Sequence, residues 1–321
     1  MDKIILQTEN LTKRFGELTA VDGLNLEVHE GEVFGFLGPN GAGKTTSISM
    51  MCGLLKPDAG RVILHGQTLD GGNAEVRARV GVCPQEIVLW ERLTCFEQLV
   101  FIGQMYGIST SQARQRSQRL LEELDLLEKR NKQARTLSGG LQRRLNLAMA
   151  LVHDPEIVVL DEPEAGLDPQ SRVRVREYIQ SLAHVKTVIL TTHNMDEAER
   201  LADRVAIIDH GQLLVVDTPK ALKKCVGAGD VLEIGLVGAL GEDQRQALTS
   251  SLQDRLGASV SQVLVDIPNR LLTVRALNAV GALPQILETC SESGLQPGEV
   301  RLRQNTLEDV FIQLTGRRLR E

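Results

Sequence analysis

Residues 38–45 read Gly38-Pro39-Asn40-Gly41-Ala42-Gly43-Lys44-Thr45, a complete GxxxxGK[ST] run between an apolar β-type segment, Val33 to Leu37, and a helical one, Thr46 to Cys52. Few eight-residue patterns constrain a fold as much. The glycines let the main chain bend until successive N–H groups point inward at phosphate oxygens, and the following helix offers its positive N-terminus to the same anion. Lys44 is suited to neutralise the β- and γ-phosphates of a nucleotide, and Thr45 to hold Mg2+.

The pattern from Ile4 to about Leu222 alternates short β-branched runs with longer amphipathic segments, which reads as α/β with a largely buried sheet. Core strands are expected at Glu32 to Leu37, Ile157 to Leu160 and Thr187 to Thr191. The Ile157 strand ends in two adjacent carboxylates, Asp161 and Glu162. Side chains alternate along a strand, but at its end both can reach the cleft at the C-terminal edge of an α/β sheet, where ligands bind. Asp161 suits a magnesium coordination sphere, and Glu162 suits orienting or deprotonating an attacking water. Between the early strands and this one lies a stretch rich in Gln, Arg, Glu and Leu at helical spacing, about Thr94 to Glu128. It reads as part of an inserted helical subdomain covering about residues 88–150.

At 321 residues the chain exceeds the usual single-domain range. The Gly-containing joint Cys225-Val226-Gly227-Ala228-Gly229-Asp230 interrupts the periodicity and divides an expected domain at 1–225 from a smaller one at 230–321. In the smaller one, strands are expected at Val231 to Val237, Val260 to Val265, Leu271 to Val274 and Glu299 to Leu302. Helices are expected near Glu242 to Leu256 and Leu283 to Glu292, which makes a βαββαβ unit. A last helix starts at Thr306, where Thr306 and Asp309 have capping-box spacing.

Lys+Arg 36 against Asp+Glu 42 leaves a formal net charge of −6, no footprint for unspecific nucleic-acid binding, so no nucleic-acid partner is expected. The five cysteines are spread out without a CxxC pair, which argues against disulfides and zinc and for a reducing cytosol. The opening Met1-Asp2-Lys3 has no apolar leader behind it, and no run approaches the roughly 18 apolar residues of a spanning helix. Any membrane role has to come from a partner.

With these residues in place, Leu137-Ser138-Gly139-Gly140, standing before the helix Gln142 to Leu151 and one short loop ahead of the Asp161 strand, resembles the signature of ABC transporter nucleotide-binding domains. The match covers roughly Ile4 to Leu222, and the order of motifs is more specific than any one of them. The resemblance implies a P-loop cassette with a mostly parallel core sheet, an antiparallel β part and the inserted helical subdomain. It implies that Phe15 stacks on adenine, that Thr46 joins the phosphate-loop contacts, and that Gln85 belongs to the loop coupling site to transporter, near the metal and the chemistry. It further implies that Ala165-Gly166-Leu167-Asp168 is a dimer-contact loop and His193 the switch histidine. ATP and Mg2+ are the implied cofactors. The implied partners are a multispanning membrane permease, docked around Val88 to Leu99 with Trp90 and Phe96, and a second copy of the chain or a similar ATPase subunit. Ser138, Gly139 and Gly140 of one copy would meet the ATP of the other, at the cytoplasmic face of the membrane. Taken alone, each of Phe15, Gln85 and His193 is more often a packing or surface residue.

Two residues depart from the family pattern. Leu141-Gln142 follows the signature where Gln directly after the second glycine is commonest, and Glu164 stands where a small or hydroxyl residue is usual. Thr306 to Phe311 with Leu314-Thr315-Gly316 resembles the ending of daunorubicin-resistance-type exporter ATPases, which implies export of a drug, antibiotic, lipid or polysaccharide. Three rival readings remain. A soluble ABC ATPase of translation or DNA maintenance usually carries two cassettes, a small-molecule kinase would lack the signature, and a regulatory module without hydrolysis fits poorly with intact Lys44, Asp161, Glu162 and His193.

Overall fold

The computed structural model describes residues 3–69, 78–226, 229–238, 241–257 and 260–316. Met1-Asp2 and the Gly227-Ala228 portion of the joint expected from sequence lie outside the described residues. The chain forms two compact units, Met1–Pro219 and Lys220–Leu319.

The first unit begins with β1 (Ile4–Phe15), β2 (Leu18–His29), β3 (Val33–Leu37), α1 (Lys44–Met51), β4 (Ala59–Leu64), β5 (Gln67–Thr68) and β6 (Val80–Cys83). Three helices follow, α2 (Cys95–Met105), α3 (Thr110–Glu123) and α4 (Gly139–Leu151). It continues through β7 (Ile157–Asp161), α5 (Pro169–Leu182), β8 (Thr187–Thr192), α6 (Met195–Leu201), β9 (Arg204–Asp209) and β10 (Gln212–Asp217). One sheet is antiparallel, in the order β2-β1-β4-β5. The other, β10-β9-β3-β8-β7-β6, is parallel except for the β9–β10 pair.

Every residue of β3, β7 and β8 is buried. A strand covered on both faces needs side chains that tolerate burial on both, which is why these segments read as continuous apolar runs. Alternation then sorts them: Val158 and Leu160 join the apolar cluster that includes Leu145 and Leu147 of α4, whereas Ile157 and Val159 join the one that includes Phe34, Phe36 and Ile48. The helical insertion starts with a capping box on α2, where the Thr94 hydroxyl accepts from the Glu97 N–H at 3.2 Å and the Glu97 carboxylate accepts from the Thr94 N–H at 2.8 Å.

The parallel register pairs Leu37 with Thr192, Cys83 with Leu160, and Asp161 with Thr191, so β3, β6, β7 and β8 end at one edge of the sheet. The next residues along the chain are Gly38, Pro84-Gln85, Glu162 and His193. Topology alone therefore gathers the expected chemistry at a C-terminal sheet edge.

In the second unit, α7 (Pro219–Cys225) leads into β11 (Asp230–Val237), α8 (Glu242–Leu256), β12 (Val260–Asp266), β13 (Leu271–Ala276), α9 (Ala279–Glu292), β14 (Gln296–Arg303) and α10 (Leu307–Thr315). Its sheet is antiparallel in the order β12-β13-β11-β14, a ferredoxin-like βαββαβ arrangement. Leu232, Ile234 and Leu236 alternate into a core with Leu248 and Leu252 of α8 and Ile286 and Cys290 of α9. Helix α9 begins earlier than Leu283, because Asn278 caps it by accepting from the Gly281 N–H at 3.1 Å. Pro284 inside that helix leaves the Val280 carbonyl without its amide donor, and Val280 is 64% exposed, so water can take the donor's place. Before α10, the Asp309 carboxylate accepts from both the Thr306 N–H (2.8 Å) and its hydroxyl (2.9 Å), and it also holds Arg303.

Candidate functional site

The segment from Gly38 to Thr45 turns from the end of β3 into α1 on main-chain geometry only glycine supplies at two points. Gly43 sits at φ +97°, and a Cβ there would lie 2.4 Å from the Ala20 carbonyl oxygen; one at Gly38 would lie 2.4 Å from that of Ile208. Gly43→Ala is expected to lower ATP affinity at least roughly tenfold, since the left-handed conformation alone costs about 1–2 kcal/mol with a Cβ. Titration with a fluorescent nucleotide checks this, and unchanged affinity would disconnect the loop's shape from phosphate binding.

Lys44 is buried, with its ammonium donating to the carbonyls of Gly38 (2.8 Å) and Pro39 (3.0 Å) and lying 4.0 Å from a Glu162 oxygen. Burial pushes its pKa down from the usual lysine range, and the carboxylates of Glu162 and Asp161 oppose that shift. The Thr45 hydroxyl donates to Asp161 Oδ2 at 3.2 Å, and the Thr191 hydroxyl holds Asp161 Oδ1. Glu162 collects the remaining groups: the Gln85 amide donates to its Oε2 at 3.2 Å, and His193 Nδ1 lies 2.9 Å from its Oε1. Glu162 itself adopts φ +47°, a left-handed conformation uncommon for a residue with a Cβ. Its N–H is held by the Thr191 carbonyl (3.2 Å) and hydroxyl (3.0 Å).

These groups border a cleft of about 510 Å³ whose wall includes Phe15, Asn40, Gly41, Thr46, Gln85 and Glu162. Phe15 is half exposed, with the Lys13 ammonium 5.6 Å from its ring centroid. Ser138, Gly139, Gly140 and Asp168 are not in that wall, and among the described residues no hydrogen bond or ion pair joins the first three to the phosphate loop. Helix α4 starts directly after Ser138, earlier than Gln142, and the Ser138 side chain makes no capping bond. Ser138 and Gly139 at the start of this helix are exposed, and the N-terminal end of a helix is where anions are received. Gly140 is buried against the start of α5, where a Cβ would meet Ser171 Oγ at 2.2 Å, and Asp168 caps α5 by accepting from the Ser171 N–H at 3.0 Å.

The departures from pattern acquire partners. The Gln142 amide donates to the Ala134 carbonyl at 3.1 Å while Leu141 packs on the core. Glu164 is buried, and Arg176 grips both its oxygens at 2.8 and 2.7 Å, so its added charge is matched locally. Of the surface expected to dock a membrane partner, Val88 and Trp90 are exposed, with Phe101 edge-on to Trp90 at 5.3 Å. Phe96 is instead half buried beneath the Arg130 guanidinium, 3.9 Å from its ring centroid.

Two groups had no signal in the sequence. Arg143 on α4 is buried with its guanidinium on main-chain carbonyls of the site. Glu197 on α6 is also buried: the Thr192 hydroxyl donates to its Oε2 at 2.5 Å, and its Oε1 has no hydrogen-bond partner among the described residues. Burial pushes its pKa up from 4.5 to about 7, with the Thr192 bond and Arg176 opposing and Glu164 and Glu162 reinforcing. An acid whose folded pKa is raised adds stability that is complete below its unfolded pKa and lost as pH rises through the folded one. Glu197→Gln, neutral throughout, is expected to gain on wild type by up to about 3 kcal/mol as pH goes from 4.5 to 7. Melting curves across that window check it; a difference independent of pH would count against it.

Residues 21–165 match the family described as ABC transporter. The Nod factor export ATP-binding protein I of Ralstonia nicotianae is 40% identical over 323 residues, covering 99% of this chain and 95% of the relative. The chain belongs to the ATP-binding subunits of ABC transporters. Another such subunit, the daunorubicin resistance ATP-binding protein DrrA3 of Streptomyces coeruleorubidus, is 38% identical over 324 residues, covering 98% of each chain. Among solved ABC cassettes, the dimeric post-hydrolysis state of MJ0796 bound to ADP and Pi superposes with a TM-score of 0.61 at 26% identity, covering 67% of this chain and 98% of that one. The fold is that of an ABC cassette, ATP is its nucleotide, and ATP hydrolysis is its reaction. No helix among the described residues is long and apolar enough to cross a membrane.

Proposed function

We propose that this ABC subunit drives export of an amphipathic drug-like or lipid-like molecule, working as a dimer on a multispanning permease at the cytoplasmic face of the membrane. The observation that carries the reading is the end-to-end match to subunits named for Nod factor export and daunorubicin resistance, a match that includes the second unit. The exposed Val88, Trp90 and Phe101 follow the Gln85 loop and form the surface for the permease. Phe15 supplies the face for adenine, and the loop from Gly38 to Thr46 supplies N–H groups and Lys44 for the phosphates.

The residues present fit Mg2+. That ion takes hard oxygen ligands, one or two from carboxylates and the rest from phosphate and water. Thr45 and Asp161 already meet at 3.2 Å, and the Gln85 amide oxygen is the third protein candidate. When bound, the ion would neutralise phosphate charge. Glu162 accepts the proton of the attacking water, His193 orients Glu162 and reaches toward the γ-phosphate, and Gln85 holds the other Glu162 oxygen. The start of α4, with Ser138 and Gly139 exposed and Gly140 and Asp168 beside them, meets the nucleotide of a second copy.

The reading is tested by reconstituting the full chain with the membrane subunit that copurifies with it. Inside-out vesicles are expected to accumulate an anthracycline only when ATP is supplied. ATP-driven movement in the opposite direction, or copurification with ribosomes instead of a membrane protein, would remove it.

A further inference from the structure

We propose that Arg143 is a positioning residue that ties the helix carrying Ser138-Gly139-Gly140 to the hydrolytic edge of its own chain, so that the placement of Gln85 and Glu162 follows the position of that helix. Arg143 lies one turn after Gly140 and is only 3% exposed. Its Nε donates to the Pro163 carbonyl at 3.1 Å. One terminal nitrogen donates to the carbonyls of Pro84 (2.7 Å) and Gln85 (2.9 Å), and the other to those of Asp161 (2.7 Å) and Glu162 (2.8 Å). All five guanidinium N–H donors are thereby used, each on main chain. Among the described residues no carboxylate forms an ion pair with it, so five carbonyls carry the cost of burying the charge.

The acceptors belong to two separate segments, the turn after β6 and the end of β7 with the turn that follows it. These are the turns that aim the Gln85 and Glu162 side chains. Glu162 is held in its left-handed conformation from both sides, its N–H by Thr191 and its carbonyl by Arg143. A residue in a sparsely populated conformation persists only where its surroundings over-determine it. A shift of α4 would pull on the carbonyls of both turns at once, because a planar fork with five bonds moves its acceptors together.

The wider consequence rests on the proposal that the start of α4 meets the nucleotide of a second copy. Nucleotide in one site then sets the hydrolytic geometry of the other through Arg143, and ATP hydrolysis is cooperative. The test uses the purified full chain and Arg143→Lys. Lysine keeps the buried charge, but its donors radiate from one point and cannot span both turns. Turnover is expected to fall at least roughly tenfold, nucleotide affinity to stay within about threefold, and the Hill coefficient for ATP to drop from above one to one. Unchanged turnover and cooperativity in the variant, a wild-type Hill coefficient of one, or an equal loss of affinity and turnover accompanied by a fall in melting temperature would each overturn the proposal.

If Arg143→Lys does not fold, Arg143→Gln, which buries no charge, is measured in its place against the same outcomes. The dimer is checked separately. Glu162→Gln is expected to form an ATP-dependent dimer with or without Arg143→Lys; loss of that dimer in Glu162→Gln alone removes the two-copy reading, whereas a retained dimer with unchanged turnover and cooperativity in Arg143→Lys removes only the assignment of Arg143.

Discussion

Glu162→Gln is expected to keep ATP binding and lower turnover by about two to four orders of magnitude, the range that a positioned general base contributes. The substitution is isosteric, so the left-handed turn, the Thr191 bonds to its N–H and the Arg143 bond to its carbonyl all remain available. What disappears is the second carboxylate oxygen. An amide cannot accept the proton of the attacking water, and its NH2 end would face either the Gln85 amide nitrogen or His193 where an oxygen now stands. Lys44, 4.0 Å from that carboxylate, also loses a negative neighbour, which leaves the cleft more positive toward phosphates. Nucleotide is therefore held as well or better while the chemical step stalls, and ATP-bound dimer should accumulate on a sizing column. Turnover near wild type would exclude Glu162 as the base.

Mixing two inactive chains, Lys44→Ala and Ser138→Arg, is expected to restore nucleotide trapping that neither shows alone. In one chain the Ser138 end of α4 stands outside the wall of the cleft that Lys44 lines. If each nucleotide lies between the phosphate loop of one copy and Ser138 of the other, every site in either homodimer carries one defect. A heterodimer collects both defects in one site and leaves its second site intact. An arginine at the start of α4 blocks approach there without touching Lys44. Trapped nucleotide is the proper readout, since full turnover can require both sites. With heterodimers confirmed by mass, absence of trapping would mean that Ser138 does not act across the dimer.

Features that depend on neighbours along the chain are legible in the letters alone. A phosphate loop is eight consecutive residues between a strand and a helix, and its left-handed turns at Gly41 (φ +81°) and Gly43 (φ +97°) are written in those letters. The apolar run into Asp161 and Glu162 is equally local, as is the alternation that marks the second unit as βαββαβ. The start of α9 was hidden because Pro284 masks a helix whose cap, Asn278, lies well upstream. Which residues meet across long separations is fixed by packing. Arg143 finds carbonyls in turns from Pro84 to Pro163, and main-chain acceptors carry no sequence signature. Glu164 is matched by Arg176, one helix away, and Glu197 gains a raised pKa only because packing removes water from it. Side-chain chemistry is written in the letters, but desolvation and the choice of partner are properties of the packed chain.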